Sequence, residues 1–283
     1  MTAHHIPPSV MDSIRNALAE DIGHGDITTT LTIDASSRSE AVLTAKEDTV
    51  VAGLPFFETV FSIVDPSVEI KALTVDGQLI KKGSLIASIH GSTRSILTAE
   101  RVALNIMQRL CGVATLTRQF VSAVADLPVK IVDTRKTTPN MRYMEKYAVR
   151  AGGGDNHRFG LYDGVLIKDN HIAASGGIKN AIEKVKKTPL LTKIEVEVKN
   201  IEELKEALAT VSVDVIMLDN MDTETMKHAV AIARAARIGV LIEASGNVTL
   251  ENVRKIAETG VDIISTGYIT HSAKAADISL KIL

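Results

Sequence analysis

Beyond Val129 the chain alternates two textures. Short apolar runs ending at Asp133, Lys168, Glu197, Asp219, Ser245 and Thr266 are separated by segments such as IEELKEALAT and LENVRKIAETG, whose apolar positions recur at helical spacing. Strand and helix in regular alternation predict a parallel sheet, because each return to a parallel neighbour needs a crossover that a helix supplies. Six strands fall short of the eight of a closed (β/α)₈ barrel. The pattern therefore predicts either an incomplete barrel or one or two strands hidden in segments that read as helix or loop, with a doubly wound sheet as the alternative.

The first half reads differently. Val10, Ile14, Ala17 and Leu18 predict a helix over residues 9–20, which EDIGHGDITT then breaks with two glycines and turn-forming residues. His24 and Asp26 are read there as turn chemistry. Over residues 39–90, strand-like EAVLTAKEDTVVAG and VEIKALTVDGQLIKKGSLIASIHG flank helix-like LPFFETVFSIV, an α+β unit with Asp76-Gly77 as a hairpin signal. The last stretch is similar to the turn-and-strand pattern of biotinyl and lipoyl carriers, but no lysine occupies the Asp76-Gly77 tip. Thr98, with Glu100 in the first turn, is read as the cap of a helix with Val102, Ala103, Ile106, Met107 and Leu110 as its apolar stripe. Arg101, Asn105 and Gln108 line the other face, and Arg101 by itself reads as solvated.

Composition narrows the classes. With 283 residues, 45% of them hydrophobic, the chain can bury the core of one large or two modest domains. A net charge of -2, no Trp and 3% aromatics argue against nucleic-acid or membrane adhesion. The single cysteine, Cys111, excludes an intrachain disulfide or a cysteine zinc cluster and fits a reducing compartment; it reads as a small buried residue in a helix. MTAHHIPPSV lacks the features of a signal peptide, and no run approaches the ~18 apolar residues of a membrane helix. The cytoplasm is the expected location, and His4 and His5 are read as bystanders in a loose terminus.

Charge singles out one stretch. Over residues 133–158, Arg135, Lys136, Arg142, Lys146, Arg150 and Arg158 face Asp133, Glu145 and Asp155, a local excess that predicts a small anionic ligand. The stretch reads as strand, polar loop, strand. Arg135, Lys136 and Lys168 follow apolar runs directly, which puts them at the carboxyl ends of strands, where α/β folds bind ligands. Gly152, Gly153 and Gly154, ahead of Asn156, His157 and Arg158, would let backbone approach a ligand. In KIEVEVKN, period-two geometry places Glu195 and Glu197 on one face, which in a barrel is the lumen. Asp219, ending DVIMLDN, is placed for a ligand or a divalent cation, Mg²⁺ rather than zinc, with a structural salt bridge as the alternative for each acid. Ser245-Gly246-Asn247 and Thr266-Gly267-Tyr268 are phosphate-type endings at successive late strands.

These residues and their flanking motifs resemble one family, the quinolinate phosphoribosyltransferases. The likeness runs through EDIGHGDITT, TAERVALNIMQRLCGVAT, DTRKTTP, EKYAVRAGGGDNHRFGLYDGVLIKDNHI, EVEVKN, IMLDN, EASGNVT and THSAKAADISL. Asn140-Met141 stands where the family has Gly-Leu, and Tyr268 where it more often has alanine. The resemblance implies an incomplete, TIM-like α/β barrel over residues 109–271 with an N-terminal α+β sandwich domain over 1–108, to which residues 272–283 return. It implies transfer of phosphoribose from phosphoribosyl pyrophosphate to quinolinate, with Mg²⁺ and no redox or covalent cofactor. By carry-over, Arg101, Arg135, Arg158 and His157 bind quinolinate, Thr134 is a further substrate-binding residue, Lys136 and Lys168 neutralise pyrophosphate, and Glu197 and Asp219 hold ribose hydroxyls or Mg²⁺, the last four being the catalytic residues. The Ser245-Gly246-Asn247 and Thr266-Gly267-Tyr268 loops take the 5′-phosphate. It also implies a homodimer, or a higher oligomer, in which Arg101 reaches the neighbouring subunit's site. The rival readings are a related transferase of another substrate and a non-catalytic phosphate-binding module.

Overall fold

Alternation of inward and outward positions builds the first sheet of the computed structural model, which describes residues 6–189, 191–210 and 212–283. Two units are distinguished: residues up to Arg118 with 137–153 and 269–283, and residues 119–136 with 154–268. His4 and His5 lie outside the described residues.

In the first unit, α1 (Pro8–Ile22) buries Val10, Ile14 and Leu18, and α2 (Ile27–Thr32) is capped by Asp26, whose carboxylate accepts the Thr29 N–H. β1 (Arg38–Ala45) turns Ala41, Leu43 and Ala45 inward; β2 (Thr49–Val50) and α3 (Leu54–Val64) follow. Leu54, Phe56, Phe57, Val60 and Phe61 are all buried, each large side chain contributing about 1.5–3 kcal/mol by leaving water. After β3 (Glu69–Ala72), β4 (Leu79–Ile80) and β5 (Leu85–Ser92), the long α4 (Thr93–Ala123) begins. The four-stranded antiparallel sheet runs from the C-terminal strand Ile278–Ile282 through β1 and β5 to β3.

Three local readings are corrected here. Asp76-Gly77 does not close a hairpin, because β4 pairs with β2 and β3 with β5. The Asp76 carboxylate instead accepts the N–H groups of Gly53 and Leu54 and the Tyr147 hydroxyl, tying its turn to the start of α3. Thr98 is not a cap: α4 begins at Thr93, and the Thr98 hydroxyl donates to Asp26 Oδ2. The predicted stripe from Val102 to Leu110 is buried and Arg101 exposed, while Cys111 is buried, its thiol pushed up to about 12 by desolvation. Finally, the polar loop between two strands is a helix, α5 (Arg142–Ala151), and it belongs to the first unit. Its charges masked an apolar face of Met144, Ala148 and Val149. Gly152 serves packing rather than ligand approach, since a Cβ there would lie 2.5 Å from the Ala114 carbonyl oxygen.

The second unit holds six parallel strands, β6 (Lys130–Val132), β7 (Val165–Ile167), β8 (Ile194–Val198), β9 (Val215–Asp219), β10 (Leu241–Ser245) and β11 (Ile263–Ser265). Their order is β6-β11-β10-β9-β8-β7, so the first two strands in the chain occupy opposite edges and the ring stays open between them. A single parallel bridge, Val132 to Asp155, is what the free edge of β6 gains among the described residues. Thus the barrel is incomplete, as the strand count allowed. Around the sheet run α6 (Asp169–Ser175), α7 (Ile178–Val185), α8 (Ile201–Leu208), α9 (Thr223–Ala236) and α10 (Val253–Ala257); Asn200 caps α8 and Asp222 caps α9. Every position of β8 is buried, as expected of a parallel strand covered on both faces.

Candidate active site

Parallel strands end on the same side, so the loops after β7 to β11 gather at one end of the second unit. Lys168, directly after β7, donates from Nζ to Glu197 Oε2 at 2.7 Å; the glutamate side chain is 8% exposed and the lysine 45%. Asp219 closes β9 half-buried and accepts a hydrogen bond from Asn220 Nδ2 at 2.9 Å. Asn220 and Asn247 are both left-handed, and Asn247 Nδ2 donates to Asn220 Oδ1 at 3.0 Å. Gly246 between them has φ +94° and no room for a side chain, because a Cβ would fall 2.2 Å from Asn220 Oδ1. The Ser245-Gly246-Asn247 loop is thereby seated on the loop that carries Asp219.

The next loop is tied to it. The Ser265 hydroxyl donates to Ser245 Oγ at 3.1 Å, and Thr266 Oγ1 donates to the Val248 carbonyl while accepting the Tyr268 N–H. Tyr268, which follows Gly267, rests its ring 6.1 Å from that of Phe120.

On the other side, Thr134 Oγ1 accepts the Lys136 N–H, a turn that shapes the Arg135-Lys136 segment; both of these residues are exposed. The buried Asp133 carboxylate accepts the His157 N–H at 3.0 Å, fixing the backbone just beyond the Asp155 bridge. His157 Nε2 lies 2.9 Å from Glu195 Oε2 and 3.5 Å from Glu243 Oε2, while Nδ1 accepts the Arg158 N–H at 2.8 Å. β8 and β10 are separated by β9, so in a flat sheet Glu195 and Glu243 would stand about 10 Å apart. Their meeting at one imidazole shows that the sheet curls and that this face is its concave inside.

Burial works against charge on His157 and the hydrogen bonds to Glu195 and then Glu243 favour it, but a second proton would occupy Nδ1 and end its acceptance of the Arg158 N–H, so the ring is held neutral. Burial raises Glu195, with the neighbouring Glu243 acting in the same direction and His157 opposing. Arg158 is lowered by burial and then by the charge of Arg135; its Nη1 donates to the Gly164 carbonyl. Glu195, Glu243 and His157 are close enough to hold a metal ion. The ring argues otherwise: with Nδ1 already accepting an N–H, a neutral imidazole keeps its proton on Nε2, the atom a metal would need.

Glu243 is the residue that sequence reasoning missed, and Glu195 was placed on the right face without a role. A signal existed, since a lone glutamate inside the apolar run LIEAS is a charge committed to burial. Arg101 belongs to the first unit, exposed on α4, whereas the other predicted site residues belong to the second.

Matches to known proteins agree with this chemistry. The family model described as quinolinate phosphoribosyl transferase, C-terminal domain, matches residues 113–281, and that of the N-terminal domain matches residues 26–111. The chain belongs to the quinolinate phosphoribosyl transferase family. It is 47% identical over 281 residues to a probable nicotinate-nucleotide pyrophosphorylase [carboxylating] of Synechocystis, covering 98% of this chain and 95% of the relative. A Bacillus subtilis relative of the same description is 46% identical, covering 93% and 90%. The solved nicotinate-nucleotide pyrophosphorylase of Francisella tularensis superposes with a TM-score of 0.93 at 42% identity, covering 100% of this chain and 99% of that one. As a member of this transferase family the chain is an enzyme, a pentosyltransferase of pyridine-nucleotide biosynthesis.

One departure from the family pattern has a physical reason. Asn140 sits at φ 63°, left-handed backbone where glycine is at home and asparagine is the best tolerated substitute.

Proposed function

We propose that the chain transfers phosphoribose from phosphoribosyl pyrophosphate to the ring nitrogen of quinolinate, releasing pyrophosphate and CO₂ and leaving nicotinate mononucleotide. The observation that carries this reading is the meeting of Arg135, Arg158 and His157 in one unit with Lys168, Glu197 and Asp219 and two seated Ser/Thr-Gly loops. Two guanidinium groups with a histidine suit a ligand with two carboxylates better than one with a single carboxylate.

In this reading Thr134 shapes the Arg135-Lys136 turn, Arg135 and Arg158 with His157 take the quinolinate carboxylates, and Lys136 and Lys168 face the pyrophosphate. Ser245, Gly246, Asn247, Thr266, Gly267 and Tyr268 take the 5′-phosphate. Glu197 and Asp219 would hold Mg²⁺ with one carboxylate each or lie against the ribose hydroxyls; the donor set fits, because Mg²⁺ is bound through one or two carboxylates plus substrate oxygens. When bound, the ion would neutralise the leaving pyrophosphate. Positive charge develops on the ribose as pyrophosphate departs, and these carboxylates stabilise it while the pyridine nitrogen is held in line. The quaternised ring then stabilises the electron pair left on the ring carbon when the adjacent carboxylate departs as CO₂, and that carbon takes a proton from solvent, so no redox or covalent cofactor is needed.

We further place the enzyme in the cytoplasm as a two-fold dimer, or a higher oligomer built from it, in which the exposed Arg101 completes the partner's site. Mixed dimers of Arg101→Ala and Lys168→Ala chains should regain activity that both parent homodimers lack; verified heterodimers without activity would remove Arg101 from the site. The reaction itself is tested by mass spectrometry of quinolinate, phosphoribosyl pyrophosphate and Mg²⁺ incubated with the purified chain. Formation of nicotinate mononucleotide supports the reading, and its absence with folded protein overturns it.

A further inference from the structure

The Glu195 and Glu243 carboxylates have no place in the roles above. Both are nearly sealed from solvent, and each keeps an Oε1 atom that is buried with no hydrogen-bond partner among the described residues. Burying two carboxylates this way costs stability, and an apolar side chain of similar volume inside the LIEAS strand would avoid the cost. Both aim their other oxygen at one atom, His157 Nε2. The opposite ring nitrogen accepts the Arg158 N–H, and the His157 N–H is itself fixed by Asp133. The ring is therefore a strut with one end in the buried acids and the other on the backbone of Arg158.

We propose that Glu243, together with Glu195, is a positioning residue for the dicarboxylate substrate: by anchoring His157 through Nε2 it fixes the Arg158 backbone and so the place where the Arg158 guanidinium meets a substrate carboxylate. The guanidinium has one further hold, Nη1 on the Gly164 carbonyl, and this leaves donors for a ligand. A guanidinium that must meet a substrate carboxylate in one geometry needs such a support, because only a locked neighbourhood holds a long side chain in place. The inference rests on the proposed reading of Arg158 as a quinolinate ligand and extends it to two residues that touch no substrate.

The test uses the full chain and measures quinolinate affinity by calorimetry, KM for phosphoribosyl pyrophosphate, and the ¹⁵N resonances of the His157 ring. Glu243→Leu should weaken quinolinate about 10- to 100-fold, the weight of one hydrogen bond to a charged group, and move the His157 resonances, with KM for phosphoribosyl pyrophosphate unchanged. Glu243→Gln keeps an acceptor and should recover most of the affinity. Unaltered quinolinate binding in Glu243→Leu, or an equal loss for both substrates, overturns the proposal. If Glu243→Leu does not fold, Glu195→Leu replaces it, removing the nearer of the two acceptors, with the same loss expected and unchanged affinity again the contrary result. Arg158→Ala separates the two levels: if it too binds quinolinate normally, the reading of Arg158 fails, whereas a weakened Arg158→Ala beside normal Glu243 variants sinks the positioning role alone.

Discussion

Glu145 in the first unit and Glu243 in the second are both sealed glutamates, yet their surroundings are opposite. Glu145 accepts from Arg109 through Nε and Nη2 and from the Thr138 N–H and hydroxyl, so both of its oxygens are satisfied. Asp76 in the same unit is equally well supplied. Glu243, like Glu195, leaves an oxygen without a partner among the described residues and offers the other to a histidine. A charge buried for stability is saturated, because every missing hydrogen bond costs about 1–3 kcal/mol. Where saturation is lacking, stability has been given up for something else, and among the described residues of this chain that happens around His157.

The sharpest way to break the comparison is to substitute on both sides. Glu145→Ala should cost about 3–5 kcal/mol of folding stability by leaving Arg109 without its partner, while the activity of the protein that remains folded stays close to normal. Denaturant titration with activity measured per folded molecule checks this. Glu197→Ala and Asp219→Ala should do the reverse, lowering turnover roughly 100-fold or more, about 3 kcal/mol, with little change in melting temperature. A variant that melts early and turns over normally would move its residue to the structural class. Arg158→Ala should weaken quinolinate by about 2 kcal/mol and spare phosphoribosyl pyrophosphate, which calorimetry can read directly.

The smallest effect is a pH dependence. Burial raises the Glu195 carboxyl, with Glu243 acting in the same direction, so the folded chain holds a proton that the unfolded chain releases in the ordinary carboxylate range. Its contribution to stability is whole below that range and is lost as pH rises through the raised value. Stability should therefore fall more steeply with rising pH in the native chain than in Glu195→Gln; parallel curves would show that the carboxyl is not raised.

Much of this was legible because strands and their ends leave plain marks. The six apolar runs of the second unit stand where the parallel strands lie, and the polar residues closing them do gather at one end. What stayed hidden was set by partners distant in sequence. Asp76-Gly77 carries a hairpin signal, but its carboxylate is claimed by the start of α3; α5 was masked by charges whose partner, Arg109, lies on another helix. Glu243 lies in a different segment from His157, and only the curl of the sheet brings them together. The one-residue bridge from Asp155 to Val132 at the edge of β6 likewise has no periodicity to read.

The central claim, that the paired cations of the second unit exist to hold two carboxylates, is tested most directly by offering quinolinate and nicotinate in competition for phosphoribosyl pyrophosphate. A single carboxylate would engage fewer of the cationic donors of Arg135, Arg158 and His157 than the two carboxylates of quinolinate. The account predicts consumption of quinolinate with nicotinate left essentially untouched. Equal turnover of the two acids would contradict it.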